Sequence, residues 1–286
     1  MPSVSIALCT FERPDPLKDT VTDLLQQLPP DGEVVVVDQS LVAAEENSAW
    51  IARLDDTRIR YVTDPVPGLP RARNRAIAET SAEKVIFFDD DVRLLPGVVS
   101  AHLRALDGPA VGGVVGRIVE RSVRNNASPG TNVVDAWGRI RTHLEAGPPG
   151  AIGSLKGANM SFRREALAAV GAFDEGFLGT AILEDADISE RLRKLGFVLC
   201  FAPDAALIHL SAEAGGVRKS RREAERWRFE NTGYFVGKHR GAQVAMVRAM
   251  FSAIAIRRAW EWGEPGAIAS LMSAFHSGLG RATHGV

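Results

Sequence analysis

Three consecutive carboxylates close the stretch KVIFFDDDV, residues 84 to 92, in which an apolar run of Val85, Ile86, Phe87 and Phe88 delivers Asp89, Asp90 and Asp91 to one point. Like charges a few ångströms apart repel and raise each other's pKa, so the triplet calls for open water or a cation. A hard divalent ion with oxygen ligands, shared with phosphate oxygens, would resolve the repulsion. The plainer reading is a polar turn capping a helix that Pro96 opens.

A second group of acids opens LEDADISERLRKLG. On a helix, Ile188, Leu192 and Leu195 form one apolar stripe, and Glu184 and Asp185 fall on the inner side of the first turn, four and three residues before Ile188. Asp187, four before Arg191, and Glu190, four before Lys194, read as surface ion pairs. An inward carboxylate can take a proton from an attacking hydroxyl, or it can merely complement the helix dipole. His209, ending ALIHL, is a metal ligand or a structural histidine. Arg71, Arg73 and Asn74 in GLPRARNRA lie near a helix N-terminus that favours an anion, or form a solvated basic face.

The elements that must position these groups alternate. Strands are expected at 3–10, 33–38, 59–63 and 84–89, with helices at 16–28, 43–54 and 70–80 between them. Continuous Val and Ile runs suit parallel strands covered on both faces. In such sheets ligands bind beyond the carboxyl ends of the strands, where Thr10, Asp38 and Asp89 to Asp91 all fall. Residues 120–150 are a loop-rich excursion of the kind that borders functional sites. Helices at 164–170 and 184–195, two short strands VLCFAP and ALIHL, and a mostly helical tail from about residue 220 complete the chain.

Composition bounds the class. A chain of 286 residues with a formal net charge of -1 is neither disordered nor a nucleic-acid coat. Cys9 and Cys200 sit in separate apolar runs and read as reduced core residues, which points to a cytoplasmic protein. No basic leader and no long apolar run is present, so neither export nor a membrane span is expected. The tail differs: residues 217–258 hold eleven Lys or Arg against three Glu, interleaved with aromatics. That pattern fits basic helices packed on the domain or lying peripherally on the inner face of a membrane. Nucleic acid is not an expected partner, because no recognition motif accompanies the charge.

The ordered segments SIALCTFERP, VVVVDQS, GLPRARNRAI, VIFFDDDV and GANMSFRREALAAVGAFDEGFL…LEDADISERLRKLGF, followed by ALIHL, resemble the family 2 inverting glycosyltransferases of GT-A fold, over residues 3 to 240. The resemblance implies an α/β fold, a mixed and mostly parallel sheet flanked by helices with a helical C-terminal tail. It implies a catalytic domain at 1–215, with a nucleotide-binding half at 1–110 and an acceptor-side half at 111–215, and a helical extension at 216–286. Thr10, Phe11, Arg13 and Asp38 would hold the nucleotide, with Asp38 accepting from the base N3–H; the family often shows two acids where this chain has Asp38 and Gln39. Asp89, near the ribose or the metal, and Asp90 would belong to the nucleotide-sugar site, and Asp91, His209 and Asp89 would bind Mn2+ or Mg2+ bridging the two phosphates. Arg71, Asn74 and Arg218 are the implied diphosphate-side contacts, with Arg218 on a glycine-bearing lid. Asn159, behind Gly157 and Ala158, would touch sugar hydroxyls. Asp185 is the implied base, with Glu184 second.

The implied activity is metal-dependent inverting transfer of a hexosyl or deoxyhexosyl unit from a UDP- or dTDP-linked sugar. The acceptor would be a hydroxyl of a glycan or lipid-linked molecule, as in cell-envelope polysaccharide synthesis, and a homodimer is compatible with it. A catalytically inactive nucleotide-sugar-binding subunit is the alternative. A haloacid-dehalogenase phosphatase would carry its aspartates on the first strand, with Thr or Val where Arg93 stands here on the fourth. A sugar nucleotidyltransferase would need a Gly-rich basic loop where this chain has TFERPDP.

Overall fold

Alternation of apolar runs with amphipathic stretches produces the nucleotide-side half. The computed structural model describes residues 2–120, 125–211 and 220–284. Its first elements are β1 (Ser5–Thr10), α1 (Pro14–Leu25), β2 (Glu33–Asp38), α2 (Ala44–Arg53), β3 (Ile59–Thr63), α3 (Leu69–Glu79) and β4 (Lys84–Asp89). Val34 to Val37, Ile6 to Leu8 and Val85 to Phe88 are buried, because helices cover both faces of these strands. Pro14 and Pro70 sit in the first turns of α1 and α3, where a missing N–H costs no helical hydrogen bond.

After β4 the chain turns into β5 (Val92–Leu94), α4 (Val98–Ala105), β6 (Val111–Glu120), the hairpin β7 (Thr131–Val134) and β8 (Ile140–His143), then β9 (Gly150–Ala151), β10 (Asn159–Arg163), α5 (Arg164–Ala169), α6 (Glu184–Lys194) and β11 (Val198–His209). Among the described residues one sheet runs β3-β2-β1-β4-β10-β6-β11-β5, with β9 beside β11. β1 to β4 are parallel, β10 is antiparallel to β4 and β6, and β11 runs parallel to β6 and antiparallel to β5. Chain order reverses between β1 and β4, which opens a crevice at their carboxyl ends.

Three expectations change in detail. VLCFAP and ALIHL are one strand, β11, irregular between Ala202 and Ala206. The triplet does not cap α4, since β5 intervenes and α4 begins at Val98. The excursion at 120–150 contains the β7–β8 hairpin.

The tail folds as α7 (Arg221–His239), α8 (Val244–Trp262) and α9 (Ala267–His284). Gly233 and Gly278 let α7 and α9 touch backbone to backbone: a Cβ on Gly278 would meet Glu230 O at 1.8 Å. Phe229 meets Phe251 edge to face and Phe251 meets Phe275 at a tilt through this bundle, with ring centroids 4.8 and 5.4 Å apart. Val134, Phe177, Leu183 and Ala186 join the same apolar cluster, so the bundle packs on the hairpin and on the entry to α6. No helix of the described residues is long and apolar enough to cross a membrane.

Candidate active site

Register places the chemistry. Thr10 pairs with Asp38 across β1 and β2, and Cys9 pairs with Asp89 across β1 and β4, so three strand ends reach one level. The turn into β5 then swings Asp91 toward β11, where Val92 pairs with His209 and Leu210 N donates to Asp91 O at 2.9 Å. On its other side His209 pairs with Glu120 of β6. A triplet adjacent in sequence is thereby split among different partners.

Asp90 is buried between Thr10, whose Oγ1 donates to Oδ2 at 2.6 Å, and Arg13, which donates to Oδ1 at 3.1 Å. Burial pushes the Asp90 carboxyl up to about 7, against Arg13 and the Thr10 hydroxyl. Asp91, also buried, accepts from Arg13 at 3.0 Å and faces His209 Nε2 at 3.1 Å. Asp89 Oδ2 lies 3.7 Å from the same nitrogen. Asp89, Asp91 and His209 each offer one ligand atom, all within 4.8 Å of one another.

Two carboxylates and an imidazole are a donor set that suits Mn2+. Glu120 accepts at His209 Nδ1, 2.9 Å away, and so directs Nε2 at the aspartates, as carboxylates behind metal-bound histidines do. Glu120 is itself held by Lys156 at 2.5 Å and Ser211 at 3.1 Å. Burial alone would lower the His209 ring, but the hydrogen bonds to Asp91 and Glu120 and the charge of Asp89 hold it up at about 10. The residues fit a divalent cation.

Beside this cluster a crevice of about 160 Å³ is lined by Thr10, Phe11, Arg13, Asp89 and Asp90, with Cys9, Gln39, Gly179 and Thr180. Burial pushes the Cys9 thiol up to about 12, which leaves it a poor nucleophile. Glu12, at φ +55°, turns its carboxylate away to accept from the N–H groups of Leu41, Val42 and Ala43, which ties down the turn that leads into α2.

The acids of α6 divide. Backbone in the left-handed region at Ala181 and Leu183 aims the helix start, a strain typical of functional sites. Glu184 is buried in an ion pair with Arg73, whose Nη2 lies 3.7 Å from Asp89. Its Oε2 has no hydrogen-bond partner among the described residues. Asp185 is half-buried; Oδ2 accepts from Gly157 N at 3.1 Å and Oδ1 from Ala186 N at 2.8 Å. It lines a pocket of about 290 Å³ with Lys156 and Asn132. Burial raises the carboxyls of both Glu184 and Asp185, opposed by Arg73 and, for Asp185, by the Gly157 amide.

Other expected site residues are engaged by partners within the fold. Asp38 is fully buried: it accepts from Ser40 N, Asn47 Nδ2 and Tyr61 Oη, each at 2.7 Å, and ties β2 to α2 and β3. Asn159 is fully buried; it donates to the carbonyls of Arg117 and Ala205 and pairs with His102. Asn74 clamps the 173–175 turn through Phe173 and Glu175, and Arg71 pairs with Asp64 at 2.9 Å. Arg218 lies outside the described residues. Asp187 is not a surface acid but is fully buried against Arg191, Lys238 and His239. Glu190 pairs with Arg240 and Arg193 rather than Lys194.

Sequence reasoning missed Glu120, Lys156 and the bridging role of Arg73. Glu120 carries a usable signal, an acid ending the apolar strand VGGVVGRIVE; Lys156 carries none.

The family model described as Glycosyl transferase family 2 matches residues 5–171. A curated relative, N-acetylglucosaminyl-diphospho-decaprenol L-rhamnosyltransferase of Mycobacterium tuberculosis, is 26% identical over 151 residues, 46% of this chain and 48% of the relative. The chain thus spans about half the length of the curated relative it matches. Mannosyltransferase PcManGT from Pyrobaculum calidifontis, in complex with GDP-Man and Mn2+, matches with TM-score 0.61 at 15% identity over 99% of this chain and 87% of that one. GalNAc-T7 with UDP, GalNAc and Mn2+ matches with TM-score 0.63 at 16% identity over 83% and 50%. At these identities the two solved structures speak to the fold.

Proposed function

The chain belongs to glycosyl transferase family 2 and has a GT-A type fold, and from that premise we propose that it moves a sugar, with inversion, from a nucleoside diphosphate sugar to a hydroxyl of a glycan or lipid-linked acceptor. The observation that carries the reading is the meeting of Asp89, Asp91 and His209 beside a crevice at the strand ends, with Arg73 and Glu184 linking that cluster to the helix that bears Asp185. The named relative acts with a lipid-linked diphosphate, and both structural neighbours were solved with Mn2+, which supports the acceptor class and the cofactor.

Asp89, Asp91 and His209 would hold Mn2+ or Mg2+, which when bound supplies Lewis-acid stabilisation of charge on the departing diphosphate. Thr10, Phe11 and Arg13 line the crevice that would take the nucleotide. Asp185 takes the proton of the acceptor hydroxyl as its oxygen bonds to the anomeric carbon, and the bond to the diphosphate breaks on the opposite face. Its half-buried position beside a pocket, and a carboxyl raised by burial, suit a base; Glu184, closed off by Arg73, instead couples the base helix to Asp89. The catalytic unit is assigned to residues 1–215 and the extension to 216–286, whose α7–α9 bundle packs against the entry to α6.

The test is nucleoside diphosphate release from UDP-, dTDP- and GDP-linked sugars with and without Mn2+. Release is expected only with the ion, and Asp91→Ala should abolish it with far-UV dichroism unchanged. Undiminished release by that variant under chelation would overturn the reading.

A further inference from the structure

Two pockets meet at the β7–β8 hairpin. One is the pocket of about 290 Å³ that holds Asp185 and Lys156, walled by Val133, Val134 and Ile140. The other, of about 340 Å³, lies between the hairpin, the approach to α6 and α8; its lining includes Ile140, Ile182, Leu183, Met250 and Ile254, with Arg139 and Arg228. Ile140 belongs to both walls, and Leu183 runs directly into Glu184 and Asp185. The hairpin is seated firmly: Gly138, at φ +72° in its turn, packs against Thr232 and Val236 of α7 and Val247 of α8.

α8 buries Val247, Phe251, Ala255 and Ala259 against the bundle and leaves other apolar residues at its surface. On one side Met250 and Ile254 line the cleft. From there, helical spacing carries an apolar strip across the exposed Ala253 and Ala249 to Ile256 and Trp260, which are 57% and 83% exposed. The polar residues beside the strip, Arg257 and Glu261, pair with each other at 2.9 Å. Around the cleft Arg139, Arg228, Arg257 and Arg258 face Asp135, Glu225 and Glu261 in shared pairs, four cations against three anions, which leaves one net positive charge. An apolar cleft with surplus cationic charge, sharing its Ile140 wall with the pocket of the candidate base and lying beside exposed apolar residues of α8, matches an amphiphile whose hydrocarbon and polar parts are joined through a phosphate.

We infer that the cleft between the β7–β8 hairpin and α8 holds the hydrocarbon chain of a lipid-linked acceptor, whose polar head lies at Asp185 in the adjoining pocket. The assignment of the head rests on the transferase reading above; the chain site is tested without donor, metal or turnover. Geranylgeranyl diphosphate, kept below micelle-forming concentration, is titrated into the full chain and followed by tryptophan fluorescence and calorimetry, with inorganic pyrophosphate and phosphatidylglycerol vesicles as separate probes. Saturable binding is expected that pyrophosphate does not displace, weakened about tenfold or more by Ile254→Asp and unchanged by Leu195→Asp, just past the C-terminal end of α6. Both side chains are partly or largely exposed, and melting temperatures near wild type check that the variants fold. No saturable binding by wild type, equal loss in both variants, or binding to vesicles alone would overturn the site. Failure of the transferase reading would appear separately, as absent metal-dependent donor turnover.

Discussion

Nδ1 of His209 lies 2.9 Å from Oε1 of Glu120, because parallel pairing sets the two residues side by side at the ends of β11 and β6. The same ring presents Nε2 to Asp91 at 3.1 Å, so Glu120 decides which nitrogen meets the aspartates. Glu120→Gln is therefore expected to weaken Mn2+ affinity by about tenfold to a hundredfold. Electron spin resonance titration of free Mn2+ reads it directly, and an unchanged affinity would remove Glu120 from that role.

Asp185 and Glu184 are adjacent but should fail differently. Asp185→Asn should retain donor affinity and lose transfer by about a hundredfold or more, the range of a lost general base. Glu184→Gln leaves Arg73 buried with only Asp89 nearby, so it should lower stability by about 3 kcal/mol and disturb donor binding as well. Steady-state kinetics with paired chemical denaturation distinguishes them; normal turnover by Asp185→Asn would move the base elsewhere.

Asp187 ties α6 to α7, accepting from Arg191 Nε at 2.8 Å, Lys238 Nζ at 2.6 Å and His239 Nε2 at 2.7 Å. Burial alone would raise its carboxyl, but these partners hold it down at about 2, below the ordinary 3.8. A carboxyl depressed by folding stabilises the protein above its unfolded pKa, and that contribution, about 2 kcal/mol, is lost as pH falls from about 4 through 2. Urea unfolding across that window should show the loss in wild type and a flatter profile in Asp187→Asn. A variant with the same pH slope would show that other groups carry it.

Gly157 is a packing hinge for Arg73. A Cβ there would lie 2.4 Å from Arg73 Nη2, between the guanidinium and the amide that holds Asp185. Gly157→Ala is expected to cost about 1–3 kcal/mol of stability from overpacking and to lower turnover more than metal affinity. Equal kinetics in this variant would show that Arg73 has room to move.

Much of the frame is legible in the chain because it rests on local patterns. EVVVVD, IRYVT and KVIFFD are strands with the expected bounds, since an unbroken β-branched or aromatic run has few alternatives to a covered parallel strand. VLCFAP and ALIHL form one strand because pairing with β6 continues past Pro203 and Asp204, which it absorbs as an irregularity between Ala202 and Ala206. The site residues divide along a similar line. The triplet of aspartates advertises a cation by its own repulsion, but nothing near Asp38 in sequence reveals that Tyr61 and Asn47 close over it.

What the sequence determined by itself is the order of elements, the delivery of acids to strand ends and the inward face of α6, all consequences of periodicity within a few residues. Tertiary structure alone decided which acid meets which partner: Asp91 faces His209 through the β5–β11 register, Asp90 turns to Thr10 and Arg13, and Glu120 arrives from β6. Those choices depend on pairings between residues up to 118 positions apart, and hydrogen-bond register across a sheet is a property of the assembled strands rather than of any one of them.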